Sequence, residues 1–181
     1  MWRKHNLWMI LPMILLGSTP FVNAQDAASP ASYPTKARNI LVLNYPEGVT
    51  VPVEIEGSSR LPRANGTVEV RQEGSVTEIE LTAEGLKSPL LFGGDMTTYV
   101  LWAITFDTEA HNLGRVEATD GRGRYVGIHD VERFGLIVTA EPHFLVTTPS
   151  DMVVMESIGP GAGSAPVEAT TVSYQVLDGL Y

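Results

Sequence analysis

Thr67-Val68-Glu69-Val70-Arg71 and Thr77-Glu78-Ile79-Glu80-Leu81-Thr82 alternate polar and apolar residues without a break. A period of two places every second side chain on one face of an extended strand, so each stretch is predicted as a β-strand with one wet and one buried face. The step between them, Gln72 to Ser75, contains Glu73-Gly74 and reads as a hairpin turn. Outward from this hairpin the same period predicts strands at Asn39–Asn44, Val51–Glu56, Tyr99–Phe106, Gly114–Ala118, Arg124–His129, Phe134–Ala140, His143–Thr147, Met152–Glu156 and Thr170–Leu177. Short strands spaced by roughly 8 to 12 residues, with Gly, Pro and Asp between them, are the pattern of an all-β sandwich. No segment carries a helical stripe, a heptad or a long internal repeat.

The ends of the chain read differently. Arg3 and Lys4 precede an apolar run from Leu7 to Leu16, interrupted only by Pro12, and Val22-Asn23-Ala24 offers a cleavage site. Residues 1–24 are therefore expected to be a signal peptide, and residues 25–38, rich in Ala, Ser and Pro, a disordered leader. The sandwich domain is expected over residues 39–158. Gly159 to Pro166 has linker composition, so 159–169 is assigned as a flexible linker and 170–181 as a last strand and tail.

Cleavage after Ala24 would leave 157 of the 181 residues, enough for one domain with a core. With Arg3 and Lys4 gone, ten basic residues against 21 acidic ones give a net charge of −11. Such a surface disfavours nucleic acid and anionic membranes, both of which are bound through clustered Lys and Arg. The chain has no cysteine, which excludes disulfides and a lipoprotein-type lipid anchor and leans towards a bacterial periplasm or cell surface.

Two strands stand apart. In Tyr99-Val100-Leu101-Trp102-Ala103-Ile104 both faces are apolar, as are most positions of Phe134-Gly135-Leu136-Ile137-Val138. A strand of this kind is covered on both sides. The ordinary cover would be a loop such as Leu86 to Met96 or the C-terminal strand, with Trp102 a core tryptophan. The functional alternative is a partner chain, for which Trp102, Ile104 and Ile137 are the candidate contact residues if that face is uncovered.

Thr98 to Ile104, Asn112-Leu113-Gly114, Phe134 to Pro142 and Pro149 to Val154 together resemble the immunoglobulin-like β-sandwich module that precedes OmpA-like domains in bacterial envelope proteins. The likeness covers about residues 66–158, with a weaker echo at Tyr174 to Gly179. A remoter similarity, in the Tyr-x-x-Trp strand followed by an Asn-Leu-Gly turn, is to the extracytoplasmic domain of anti-sigma-K factors. These resemblances imply an immunoglobulin-like antiparallel sandwich and an envelope address, and they supply no catalytic residue. The pattern of an OmpA-like domain does not follow in this sequence, so wall anchoring is not carried over.

Catalytic and metal-binding signals are sparse. There is no Gly-x-Ser-x-Gly elbow, and His111, His129 and His143 fall at strand ends or turns. Asp107, Glu109 and His111 alternate, and His129, Asp130 and Glu132 cluster, yet neither set has the ligand pattern of a zinc or calcium site. Asp120-Gly121-Arg122-Gly123-Arg124 lacks the third glycine and following helix of a phosphate loop and reads as a hairpin turn. Asn65-Gly66-Thr67 fits a glycosylation sequon and equally a turn. No cofactor, metal or catalytic residue is assigned. The expected function is a non-catalytic, exported envelope module that binds or scaffolds an envelope protein or cell-wall component. The alternative is a small metal-binding protein or hydrolase built on those histidines and nearby carboxylates.

Overall fold

The computed structural model describes residues 33–179. Ten strands follow in order, β1 (Thr35–Asn44), β2 (Thr50–Gly57), β3 (Asn65–Glu73), β4 (Val76–Glu84), β5 (Thr98–Thr105), β6 (Ala110–Thr119), β7 (Arg122–His129), β8 (Arg133–Glu141), β9 (Val153–Pro160) and β10 (Glu168–Leu177). The one helical element among the described residues is a 3-10 turn, Pro89–Phe92, and none of their helices is long and apolar enough to cross a membrane. The all-β, antiparallel character anticipated from the alternation is therefore present.

The turns obey the residues at their tips. Between β3 and β4 a two-residue loop carries φ +60° at Gly74, the first loop position, where a II′ hairpin turn takes glycine. Between β6 and β7, Asp120 and Gly121 have φ +50° and +80°, the pair of positive values a I′ turn requires.

The expected two-sheet sandwich is replaced by closure. β8, β5, β6, β7, β4, β3, β2 and β9 follow one another edge to edge, and β9 also pairs β8 through Ile137–Glu156 and Val138–Met155, which completes an eight-stranded barrel. Because β9 bonds β2 on one side and β8 on the other, neither end of this ladder is left to form a separate sheet. The interior is filled by the inward row of each strand, including Val53, Val68, Leu81, Leu101, Leu136 and Val138. Leu86 and Met96, from the segment before β5, are buried in the same core, and Phe92 packs edge-on to Tyr99.

β1 and β10 lie outside the barrel wall. They pair along ten consecutive residues, from Thr35–Leu177 to Asn44–Glu168. This ribbon is laddered to the wall only where Leu43 and Asn44 meet Phe134 and Arg133, and the same edge of β8 passes to β9 three residues later. Its inner row, Ile40, Val42, Tyr174 and Val176, makes a second core with Val100, Trp102, Ile104 and Ile137 on the outer face of β5 and β8. The crossing point is Gly135. A Cβ built there would lie 2.4 Å from the Leu41 carbonyl oxygen and 2.9 Å from Cγ1 of Ile40, so the ribbon sits directly on bare backbone.

Three expectations change. Residues 35–38 of the expected leader belong to β1, where Arg38 reaches Glu156 in an ion pair; residues 1–32, including the signal segment, lie outside the described residues. The expected linker shortens to residues 161–167, because Gly159 and Pro160 end β9 and Gly161 donates its N–H to the Pro52 carbonyl at 2.7 Å. His143–Thr147 forms no strand. Its Phe144 and Val146 carbonyls accept from the Asn112 side chain at 2.9 and 2.6 Å, which commits them to a side chain rather than a ladder.

Gly135→Ala is expected to lift the ribbon and cost on the order of 1–3 kcal/mol, the usual penalty for forcing atoms into a packed site. Gly94→Ala, where nothing lies within 4 Å of the built Cβ, serves as control. Urea unfolding of both variants checks this, and equal midpoints would contradict the close crossing.

Candidate binding surfaces

Trp102, Ile104 and Ile137 do stand on one face, at alternate positions of β5 and on neighbouring β8, with Trp102 directly opposite Ile137. That face is not uncovered. All three are 0% exposed beneath the β1–β10 ribbon, so the candidate contact surface is the domain's own second core. The C-terminal strand supplies half of the cover, and the Leu86 to Met96 segment packs instead into the barrel interior.

Beneath the ribbon runs a polar chain. The Trp102 indole N–H donates to Thr139 Oγ1 at 2.8 Å. On the same outward row of β8, Glu141 is fully buried, and its Oε1 accepts the Ser150 N–H at 2.9 Å. Ser150 Oγ donates to the Ala140 carbonyl at 3.2 Å. Burial raises the Glu141 carboxyl above its ordinary value, and hydrogen bonds from Thr139 and Ser150 with the charge of His143 offset this in part. These contacts fix the segment Pro149–Asp151, which in turn holds the end of β10: Leu177 donates to the Pro149 carbonyl and accepts from the Asp151 N–H, each at 2.9 Å.

The three histidines are dispersed. His111 is exposed, with Nε2 3.6 Å from Glu109 Oε2. His143 is exposed, and its Nδ1 accepts the Leu145 N–H at 3.2 Å. Among the described residues no group of three His, Asp or Glu side chains is placed to hold a metal ion.

His129 belongs to a seam in the barrel wall. β6 and β7 are laddered only at Glu117–Arg124, Ala118–Gly123 and Thr119–Arg122, and then diverge. Tyr125 stitches the gap, its buried hydroxyl donating to the Leu113 carbonyl at 2.7 Å. Because that carbonyl can only accept, the contact between Tyr125 Oη and His129 Nε2 assigns the imidazole proton to Nε2. Burial pushes the Tyr125 phenol up to about 12 and lowers the His129 imidazole, which keeps both neutral near pH 7. Gly127 makes room for the pair, since a Cβ there would lie 2.1 Å from Tyr125 Oη. Beyond the stitch, an open groove of about 690 Å³ lies between His111, Leu113, His129 and Leu145.

The remaining candidate surface is the outer edge of β10. Leu177 turns both its backbone groups away from β1, and the β1–β10 register has no shift. By the alternation of antiparallel ladders, Gln175, Ser173, Thr171 and Ala169 also turn their N–H and C=O away from β1. Among the described residues no backbone hydrogen bond is made to these eight groups from that side. Sequence reasoning missed this edge because it set β10 beyond a flexible linker. The available signal was the length of the strand, which has neither Lys nor Pro to protect it.

No family model, no curated protein and no solved structure matches this chain.

The raised carboxyl of Glu141 has a definite sign. The folded domain holds this proton to higher pH than the unfolded chain, whose carboxyl titrates near about 4.3. Its contribution therefore favours folding most at acid pH and fades as pH rises through the raised value. The stability of Glu141→Gln relative to wild type is expected to improve as pH rises from about 4.3 through the raised value and then to level off, as followed by thermal unfolding. A difference independent of pH would show that the native carboxyl is already ionised.

Proposed function

We propose that this chain is a non-catalytic, exported module of the bacterial cell envelope that assembles by pairing its free β10 edge with an extended strand of an envelope component. The observation that carries this reading is the edge itself. A barrel closed by β9 has no unpaired strands at its ends, yet β10, held outside the wall, leaves eight backbone groups unpaired by any described residue. Edge pairing uses main-chain hydrogen bonds for affinity and alternate side chains for selectivity, and long unprotected edges are the surfaces on which strands add.

The export address rests on Arg3, Lys4 and the apolar run that follows, together with the absence of cysteine. The likeness of the β5, β8 and β9 sequences to envelope sandwich modules agrees with that address. An immunoglobulin-like packing is not required for it, since the ribbon and its edge stand outside the barrel wall. The apolar-face version of the binding reading is set aside because Trp102, Ile104 and Ile137 are covered by β1 and β10.

A photo-cross-linking residue introduced at Ser173 in the bacterial cell tests the proposal against the same residue at Val126, an exposed position on the barrel wall. The expected result is a discrete adduct from Ser173 that disappears when Thr171→Lys blocks the edge, with none from Val126. Equal labelling from both positions, or none from Ser173, would overturn edge pairing.

A further inference from the structure

The chemistry of the β10 edge points to what pairs with it. From Ala169 to Leu177 the strand reads Ala-Thr-Thr-Val-Ser-Tyr-Gln-Val-Leu, nine residues without a charge, a glycine or a proline. A partner chosen by charge would meet nothing here, although the chain as a whole carries a net charge of −9. A partner with the same small polar residues would be fully matched, because Thr–Thr and Thr–Ser neighbours stabilise facing strands.

The free edge also has defined ends. At Leu177 it is closed by Pro149 and Asp151, and before Glu168 the strand is preceded by Pro166 and Val167. We infer that β10 pairs antiparallel with β10 of a second copy of this chain, about a twofold axis at Val172. This inference rests on the edge-pairing reading and deepens it by naming the partner.

The register follows from the backbone. With Val172 opposite its own mate, Thr171 faces Ser173 of the other copy and Ala169 faces Gln175, so all four residues with free groups on one strand meet all four on the other. Eight hydrogen bonds result and no group already bonded is called on. A shift that centres the axis on Ser173 would bring Ala169 opposite Leu177, whose N–H and C=O are already engaged by Pro149 and Asp151. In the favoured register the mate's strand stops with Glu168 opposite Val176, just before that blocked position. Thr171, Ser173 and Gln175 present exposed side chains on the outer face of the ribbon, where Thr171 and Ser173 of opposite copies come together. No charge is placed directly opposite a like charge.

Self-pairing of this kind is isologous and closes at two copies, since each chain has one such edge among its described residues. The ribbons of the two copies then form a continuous four-stranded layer, in the order β1, β10, β10, β1, carried outside two barrels.

The test is the mass of the full chain in solution, measured by light scattering after size exclusion across a concentration series. The wild type is expected to be dimeric, and Thr171→Lys and Thr171→Pro monomeric with an unchanged far-UV spectrum. Proline at this position removes only an N–H that points to solvent, a place where edge strands accept it; the lysine variant keeps the test open if proline disturbs the fold. Register is tested separately, and because the chain lacks cysteine an introduced thiol reports alone. A mixture of Thr171→Cys and Ser173→Cys chains is expected to oxidise to a mixed covalent dimer. Facing Cα atoms would be about 5.5 Å apart, within disulfide range. Either chain alone is expected to resist, since like positions are then diagonal neighbours at roughly 7–8 Å. A monomeric wild type at every concentration, or a dimer that survives both Thr171 variants, overturns the inference. If the chain is monomeric while the Ser173 adduct to an envelope component persists, self-pairing alone falls. If that adduct is absent as well, edge pairing falls with it.

Discussion

Everything outside the barrel wall depends on the way the β1–β10 ribbon lies against the outer face of β5 and β8. Ile40, Val42, Tyr174 and Val176 come down on Val100, Trp102, Ile104 and Ile137, and all of these are buried. Fully burying an aliphatic or aromatic side chain is worth about 1.5–3 kcal/mol relative to leaving it exposed, so this second core is a substantial part of the domain's stability. The contact is close because Gly135 presents no side chain at the crossing. One missing Cβ on β8 thus lets the first and last strands of the domain join a barrel into which neither is woven along its length.

That arrangement redistributes the sheet edges. Closure through β9 satisfies both ends of the eight-stranded ladder, and the divergence of β6 from β7 is mended by a tyrosine hydroxyl and an imidazole rather than by backbone. Edge groups are costly inside a protein and hazardous outside it. Here the wall leaves its unpaired groups in a seam partly filled by Tyr125, whereas β10 holds, outside the wall, an edge of four residues that no described residue pairs. The polar chain from Trp102 through Thr139, with Glu141 and Ser150 beside it, lies beneath this edge and orders the segment that closes its far end. The buried carboxyl is thus connected, through Ser150 and its neighbours Pro149 and Asp151, to the residue that ends β10.

Much of this was legible in the residues alone. The alternation in Thr67–Arg71 and Thr77–Thr82, and the glycine at their turn, marked a hairpin that the structure contains, with the ladder continued to Glu73 and Val76. All ten strands had been marked out by period and turn residues, with ends displaced by a few positions, and Asp120-Gly121 was recognisable as a hairpin turn. The two doubly apolar strands were identifiable as strands that must be covered on both faces. His143–Thr147 misled because its run of Phe144, Leu145 and Val146 reads as a short apolar strand, while the Phe144 and Val146 carbonyls bond the side chain of Asn112, 32 and 34 residues back on β6.

Composition and period therefore determined that the chain is all-β, where its strands lie, that it carries a strong acidic balance, and that Trp102 and Ile104 share one apolar face of their strand; that Ile137 joins them was decided by the pairing of β5 with β8. These are local properties, set by the preferences of each residue and its neighbours along the chain. Whether the sheet opens into a sandwich or closes into a barrel was decided only in three dimensions, by β9 finding both β2 and β8. So was the fate of the apolar face, because its cover comes from strands that begin at residue 35 and end at residue 177, at opposite ends of the described chain. Long-range pairing has no period in the sequence. It depends on which edges remain after the others are satisfied, and that is a property of the whole sheet rather than of any strand in it.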